Sequence, residues 1–338
     1  MNWKQTLFWS FSAAAIFYYF LLFGVFVFVG QEEMQLFIPE WWYIREFLFQ
    51  PGGFCAVAGQ WIIQYYRQPM SAVVFHTVLL VGCGFMVYRI LRCFSDKTYL
   101  LFLSLLPVLY LVKMSIHGEY LVDGTVGVVL MLLALSVSLK VRRAGSIAGY
   151  GIASTLFLCG LTGLLSVCYA FLYTLLALLR YKTSRQRLAA SACLIPALFI
   201  YLFSGWLGIP VPLSDGWMPE AYLEIQRLPH YYMYRVWTFF TLSIVGVALF
   251  ARFVPVIGEK SKWMDRVALV VCLITVLVSI RFCLPEPWHA QRMMLDELSF
   301  LARERQWDAI IDKYRGKQIY NYVLSLIHIS EPTRPISI

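Results

Sequence analysis

Residues 71–91 read SAVVFHTVLLVGCGFMVYRIL, an apolar run in which Arg89 is the one charged side chain. A helix needs about 20 such residues to cross the hydrocarbon core of a bilayer. The same character returns in eight further stretches: Leu7–Val29, Tyr99–Ser115, Leu121–Leu139, Ser146–Gly160, Leu164–Leu179, Leu188–Gly205, Tyr234–Val254 and Val267–Leu284. We therefore predict an all-α fold, a polytopic transmembrane helix bundle of about nine spans.

The composition agrees with a membrane location. Of the 338 residues, 60% are hydrophobic and 14% are charged, whereas soluble proteins carry about 25% charged residues. So few charges could not cover a water-exposed surface, but lipid removes that need. The net charge of +9 comes from basic clusters between apolar runs. Such clusters are typical of topology signals and differ from the basic stripe that nucleic acid binding requires.

Basic and acidic side chains alternate from one predicted loop to the next. Cation-rich segments stay in the cytoplasm, and they occur here before the first span and after the second, fourth, sixth and eighth. Their members are Lys4, Arg89, Arg92, Lys97, Lys140, Arg142, Arg143, Arg180, Lys182, Arg185, Arg187, Arg252, Lys260, Lys262 and Arg266. The alternation predicts a multi-pass protein of a bacterial inner membrane, with its N-terminus inside and its tail outside.

Two regions outside these spans have their own character. The first outer loop contains Trp41–Gln50 and Phe54–Arg67, joined by the turn residues Pro-Gly-Gly at 51–53, and both segments are predicted to lie on the membrane surface. After residues 1–284, which form the predicted transmembrane domain, residues 285–323 are predicted to begin a soluble region of amphipathic helices.

The two predicted tail helices, Trp288–Arg305 and Trp307–Tyr314, resemble the first unit of a tetratricopeptide-type repeat. One unit cannot bury its own apolar face, so the resemblance implies a truncated helical module. Residues 324–335 read LSLIHISEPTRP and resemble the translated read-through of a sequencing adapter. We therefore expect residues 324–338 to be a non-native tail and the natural protein to continue beyond Val323.

Acidic residues of the outer loops are the main candidates for chemistry. Glu32 and Glu33 follow the first span, and Glu119 and Asp123 lie in the second outer loop. Because both loops are predicted at the same membrane face, these acids could hold a divalent cation or supply a general base. The alternative is that they only keep short loops polar. Lys113 is predicted to reach the interface or to pair with an acid of these loops.

Three segments carry a resemblance to a known family: QEEMQLF at 31–37, PGG at 51–53 and ARERQWDAIIDKYRGKQIYNYV at 302–323. They resemble an uncharacterised bacterial family of multi-pass membrane proteins, a domain of unknown function with a helical C-terminal region. That resemblance implies an architecture without a chemistry. More remotely, the layout is similar to the GT-C class of membrane glycosyltransferases, which implies transfer of a sugar from a polyprenyl-phosphate-linked donor.

The GT-C resemblance also implies roles for particular side chains. Acids of the first and second outer loops would be catalytic, and Arg45, Arg67 or Arg235 would contact the donor phosphate, since arginine suits phosphate oxygens. The chain departs from that class because it has no clear Asp-x-Asp-like pair and its Glu32 and Glu33 are adjacent.

Three functions therefore compete. A glycosyltransferase-like enzyme is the leading hypothesis and requires the acids of the two loops to meet over an outer cavity. A membrane anchor or assembly factor would present the helical-repeat module to a protein partner outside the cytoplasm. A transporter or lipid flippase would need polar residues and broken helices at mid-membrane depth.

Overall fold

The computed structural model describes residues 3–35, 37–117, 120–203, 231–258 and 262–314, and every regular element within them is helical. The first half contains α1 (Trp3–Phe23), α2 (Val25–Met34), α3 (Trp41–Leu48), α4 (Gly53–Ile63), a 3₁₀ turn (Gln64–Arg67), α5 (Pro69–Leu91), α6 (Leu100–Leu103), α7 (Leu105–Ser115) and α8 (Val122–Ser138). The second half contains α9 (Ala144–Thr162), α10 (Leu165–Arg180), α11 (Ser184–Ser191), α12 (Leu194–Leu202), α13 (Tyr231–Gly258), α14 (Lys262–Cys283), α15 (Pro287–Arg303) and α16 (Trp307–Tyr314).

Among the described residues, four helices are long and apolar enough to cross a membrane: Trp3–Phe23, Pro69–Leu91, Ala144–Thr162 and the Val236–Phe253 part of α13. Shorter apolar helical segments cover Leu100–Ser115, Val122–Ser138, Leu165–Arg180 and Leu269–Cys283. The all-helical class is confirmed over the described residues.

The long apolar stretch after residue 144 folds as two helices, as the sequence predicts. Gly163 separates α9 from α10 and adopts a φ of 63°. Residues with a Cβ rarely adopt this left-handed backbone conformation, so glycine is the residue suited to the break. The two helices then pack against each other as a hairpin.

The bundle is centred on α5 and α8, which pack against each other. α1 covers α5, and the buried face of α5 includes Leu80, Cys83 and Val87. The predicted first span is divided, because α1 ends at Phe23 and α2 begins after Gly24.

The structure adds to the prediction for Phe54–Arg67 that one face of α4 is buried within the bundle, while Trp61 and Arg67 in the same segment are exposed. α4 packs between α8 and α9 and buries Cys55, Ala56 and Gly59. The small side chains of this face let the helix backbones approach closely, as in other helix pairs that pack within membranes. In contrast, α3 has no buried residue, in agreement with a surface position.

The tail helices fold back onto the bundle. α15 packs along α2 and forms a hairpin with α16, in which Leu298, Leu301 and Tyr314 make a small core. At the start of the tail, Glu286 Oε1 lies 3.4 Å from Lys113 Nζ. Lys113 therefore pairs with an acid of the tail linker, whereas the sequence analysis expected it either to reach the interface or to pair with an acid of the outer loops.

Candidate functional site

A buried carboxylate lies where α4 meets the first turn of α8. Asp123 is only 4% exposed, and its Oδ1 accepts a hydrogen bond of 2.8 Å from the backbone N–H of Gly124. The absence of a side chain at Gly59 creates the room: a Cβ added there would lie 2.6 Å from the Cβ of Asp123. Helix α4 therefore forms one wall around this carboxylate.

Two further side chains respond to the charge of Asp123. Burial raises the pKa of the Cys55 thiol, and the negative charge of Asp123 raises it further. The same two causes, in the same order, raise the pKa of the Tyr66 phenol well above its ordinary value. The charge of Asp123 thus adds to the effect of burial on both Cys55 and Tyr66, and perturbed groups of this kind are enriched at functional sites.

Tyr66 connects this group to a histidine on α5. The Tyr66 hydroxyl lies 2.8 Å from His76 Nε2, and both side chains are fully buried. The imidazole also stacks on Phe28, with ring centroids 4.0 Å apart. Burying a polar group in apolar surroundings is costly unless the group has a hydrogen-bond partner. Because neither side chain reaches water, the Tyr66–His76 hydrogen bond reduces the cost of burying both.

Gln31 joins the end of α2 to the segment that precedes α8. Its side chain is fully buried, and its Nε2 donates a hydrogen bond of 3.0 Å to the carbonyl oxygen of Tyr120. The end of α2 and the start of α8 are thereby brought together. We call Gln31, Cys55, Tyr66, His76 and Asp123 the buried polar cluster.

The two predicted acids whose side chains the structure describes, Glu32 and Asp123, do not share one environment. Glu32 points to the tail, where its Oε2 lies 3.0 Å from Arg303 Nη1, whereas Asp123 lies against α4. The Glu33 side chain and the whole of Glu119 fall outside the described residues. The structure thus joins the end of α2 to the segment before α8 through Gln31 and gives Glu32 and Asp123 different neighbours.

The predicted phosphate-binding arginines are also separated in environment. Arg45 is exposed on α3, with its guanidinium carbon 5.6 Å from the ring centroid of Phe49. Arg67 is exposed and lines an open cleft of about 470 Å³, and the side chain of Arg235 is outside the described residues. The cleft is lined by Arg67, Gln68, Pro69, Met70, Phe300 and Glu304.

The described residues contain no set of ligands for the divalent cation that the sequence analysis considered. Within them, no group of three or more His, Cys, Asp or Glu side chains is placed to hold a metal ion. Cation binding through Glu33 or Glu119 remains a prediction, because the positions of those carboxylates are not described.

Sequence reasoning missed Gln31, Cys55, Tyr66 and His76 as members of the site. A signal was available for His76, since an imidazole within the apolar run 71–91 needs a partner for its polar nitrogens. Its partner Tyr66 is ten positions away, in a segment that the sequence assigned to the membrane surface. Because that segment was not expected to pack against α5, the sequence did not predict the Tyr66–His76 pair.

Replacing Tyr66 with phenylalanine is expected to destabilise the protein. The change removes the hydroxyl and leaves the buried His76 Nε2 without its hydrogen bond, a loss of about 1–3 kcal/mol in the free energy of unfolding. Thermal unfolding in detergent measures it. Tyr65→Phe is the matched control, because Tyr65 is 45% exposed, and we expect little change there. Equal melting temperatures for the two variants would contradict the role given to this hydrogen bond.

Comparison with known proteins supplies a family. No curated protein and no solved structure matched the chain. A family model matches residues 1–328, which includes every described helix and extends past Val323. The chain belongs to the family of unknown function DUF6057.

Proposed function

We propose that this protein is a membrane-embedded enzyme that transfers a sugar from a lipid-linked donor at the outer membrane face, with Asp123 as its general base. The buried polar cluster is the observation that carries the proposal. An ionisable side chain within a membrane bundle is expensive and is by default a sign of function. Holding a module in place would not require a buried carboxylate whose charge acts on a buried phenol that is hydrogen-bonded to a buried imidazole.

The reaction would need one base and one phosphate site. Asp123 would accept the proton of the acceptor hydroxyl, whose oxygen forms the new bond to the sugar C1. The bond between C1 and the phosphate oxygen breaks, and the electron pair leaves with the polyprenyl phosphate. Atoms and charge then balance without another reactant.

Arg45 and Arg235 are the better candidates for the donor phosphate. Arg67 shares its cleft with the Glu304 carboxylate, which repels an anionic donor phosphate that has no neighbouring cation. Arg45 is on α3, whose exposed Trp41 and Trp42 suit a position at the membrane surface. Its guanidinium could then meet a headgroup phosphate at that level.

Turnover by the purified protein tests the proposal. The full chain is reconstituted in nanodiscs with polyprenyl-phosphate and polyprenyl-diphosphate sugars, and the release of the polyprenyl carrier is measured. We expect release that depends on an added acceptor alcohol. An intact, monodisperse protein that consumes neither class of donor would refute glycosyl transfer.

The membrane topology is part of the same proposal: about nine spans, with the N-terminus in the cytoplasm of a bacterium and the tail outside. The alternation of basic and acidic loops supports it. Single cysteines placed at Arg142 and at Asp308 in a cysteine-free background are expected to label from opposite sides of intact cells. Labelling of both by an impermeant maleimide would overturn the map.

A membrane anchor is the second candidate function, because α15 is firmly docked. Besides the Glu32–Arg303 ion pair, the rings of Phe26 and Phe300 lie 5.9 Å apart. This docking would hold a C-terminal helical module rigid for a protein partner. If this candidate is correct, the purified protein turns over no sugar donor. Replacing Arg303 is then expected to impair binding of the protein partner as much as deleting the tail does.

The proposed division of the chain is a transmembrane domain at 1–284, the start of a helical module at 285–323 and a non-native tail at 324–338. The change from apolar to amphipathic composition supports the first boundary. The resemblance to adapter read-through supports the second, and sequencing of the genomic locus across codon 324 tests it.

A further inference from the structure

We propose that the open cleft between the first outer loop and the C-terminal hairpin binds the headgroup of a zwitterionic phospholipid, one that carries both a phosphate and an amine cation. The cleft exists because α15 docks on α2 and brings Phe300 and Glu304 opposite Arg67. Its lining includes no member of the buried polar cluster, although Arg67 directly follows Tyr66, and binding of a phospholipid there does not require glycosyl transfer.

The charges of the cleft fit a dipolar headgroup. Arg67 is exposed and has no ion-pair partner within the described part of the chain. Glu304 is 42% exposed, and its contact with Arg303 is long, at 3.9 Å. A guanidinium on one side suits a phosphate, and a carboxylate on the other suits an ammonium group. A singly anionic lipid would satisfy Arg67 and be repelled by Glu304.

The position of the cleft favours a lipid over a soluble ligand. Pro69 and Met70 open α5, a helix long and apolar enough to span the membrane, so these residues lie at a membrane boundary. The 54% exposed side chain of Met70 and the ring of Phe300 give the cleft an apolar part. An amphiphile could place its headgroup between Arg67 and Glu304 and its glycerol and first methylenes on this apolar part.

The size of the cleft is consistent with this occupant. Its volume of about 470 Å³ falls within the range of roughly 300–1,000 Å³ that small-molecule sites occupy. The open side is needed as well, because the acyl chains must leave the cleft toward the bilayer.

Competition among lipids tests the proposal. The full chain is reconstituted with equal amounts of phosphatidylethanolamine, phosphatidylcholine and phosphatidylglycerol, and the lipids that remain bound are counted by native mass spectrometry. We expect the two zwitterionic lipids to be retained over phosphatidylglycerol by about tenfold, because the cation of either headgroup is attracted to the Glu304 carboxylate while phosphatidylglycerol has no cation. Arg67→Ala is expected to remove that retention, and Glu304→Gln is expected to remove the preference for zwitterionic lipids.

Matched variants keep the test decisive. Arg185→Ala and Asp308→Asn change exposed charges away from the cleft and should leave retention unchanged. Arg67→Lys, which keeps the charge but not the planar guanidinium, should retain an intermediate amount. All these side chains are exposed, so unchanged melting temperatures are expected and checked.

Three results would overturn the proposal. If phosphatidylglycerol were retained as well as or better than the zwitterionic lipids, Arg67 would bind any lipid phosphate and the cleft would not select a zwitterionic headgroup. Equal loss in Arg67→Ala and Arg185→Ala would remove the cleft from the explanation. Equal competition by soluble glycerophosphoethanolamine would show a site for the headgroup alone and not for a lipid.

Discussion

Replacing Asp123 with asparagine is expected to lower the rate of sugar transfer by about 100-fold or more, the usual contribution of a general base. The amide has the same shape as the carboxylate and can still accept the hydrogen bond from Gly124 N–H, but it cannot take a proton from the acceptor. Because the variant is isosteric, it is expected to fold and bind donor. Initial rates of carrier release in nanodiscs give the measurement.

Asp96→Asn is the matched control for this variant. The side chain of Asp96 is 81% exposed and lies 2.9 Å from the guanidinium of Arg92. It therefore undergoes the same substitution without the burial that distinguishes Asp123. Unchanged turnover in Asp96→Asn beside a large loss in Asp123→Asn would locate the effect. Wild-type rates in Asp123→Asn, with turnover otherwise present, would move the base to another acid and leave Asp123 as a structural residue.

Glu32 offers a contrast that separates the two proposed functions. Its carboxylate is engaged by Arg303, so its neutral variant loses an ion pair between the bundle and the tail. An ion pair whose side chains are 32% and 27% exposed is partly open to solvent and contributes about 1 kcal/mol or less to stability. A catalytic role for Glu32 therefore requires Arg303 to release it, whereas an anchoring role requires the pair to persist.

Local sequence signals were sufficient for most of the helices. The run predicted at Ser71–Leu91 is α5, which begins two residues earlier at Pro69, a residue preferred in the first helical turn. The break at Gly163 was also predictable, because an apolar stretch too long for one span contained glycines. These features depend on residues close together in the chain, which is why a single sequence reveals them.

Contacts between distant residues were not predictable in the same way. Glu32 and Arg303 are 271 positions apart, and no local pattern favours that pair over another acid and base. The burial of α4 was missed for a related reason. Its aromatic and apolar residues fit a membrane surface and a helix interface equally well, and only the packing of Gly59 on Asp123 distinguishes them.

Replacing Gly59 with alanine is expected to destabilise the protein strongly, because this glycine permits the contact on which the proposed site depends. The new Cβ would lie 2.6 Å from the Asp123 Cβ and 2.9 Å from its Cα. The Cα belongs to the backbone of α8 and cannot rotate away, so α4 must shift. Overpacking of this kind lowers the free energy of unfolding by about 1–3 kcal/mol, and chemical denaturation in detergent measures it.

Gly82→Ala makes the comparison quantitative, because Gly82 is also within a helix and a Cβ there meets nothing within 4 Å. Alanine is preferred to glycine in helices by about 0.5–1 kcal/mol, so this control is expected to gain stability while Gly59→Ala loses it. The difference in sign between two chemically identical substitutions isolates the contact between α4 and α8. If both variants gained stability, α4 would not lie against Asp123, and the wall of the proposed site would have to be assigned to another helix.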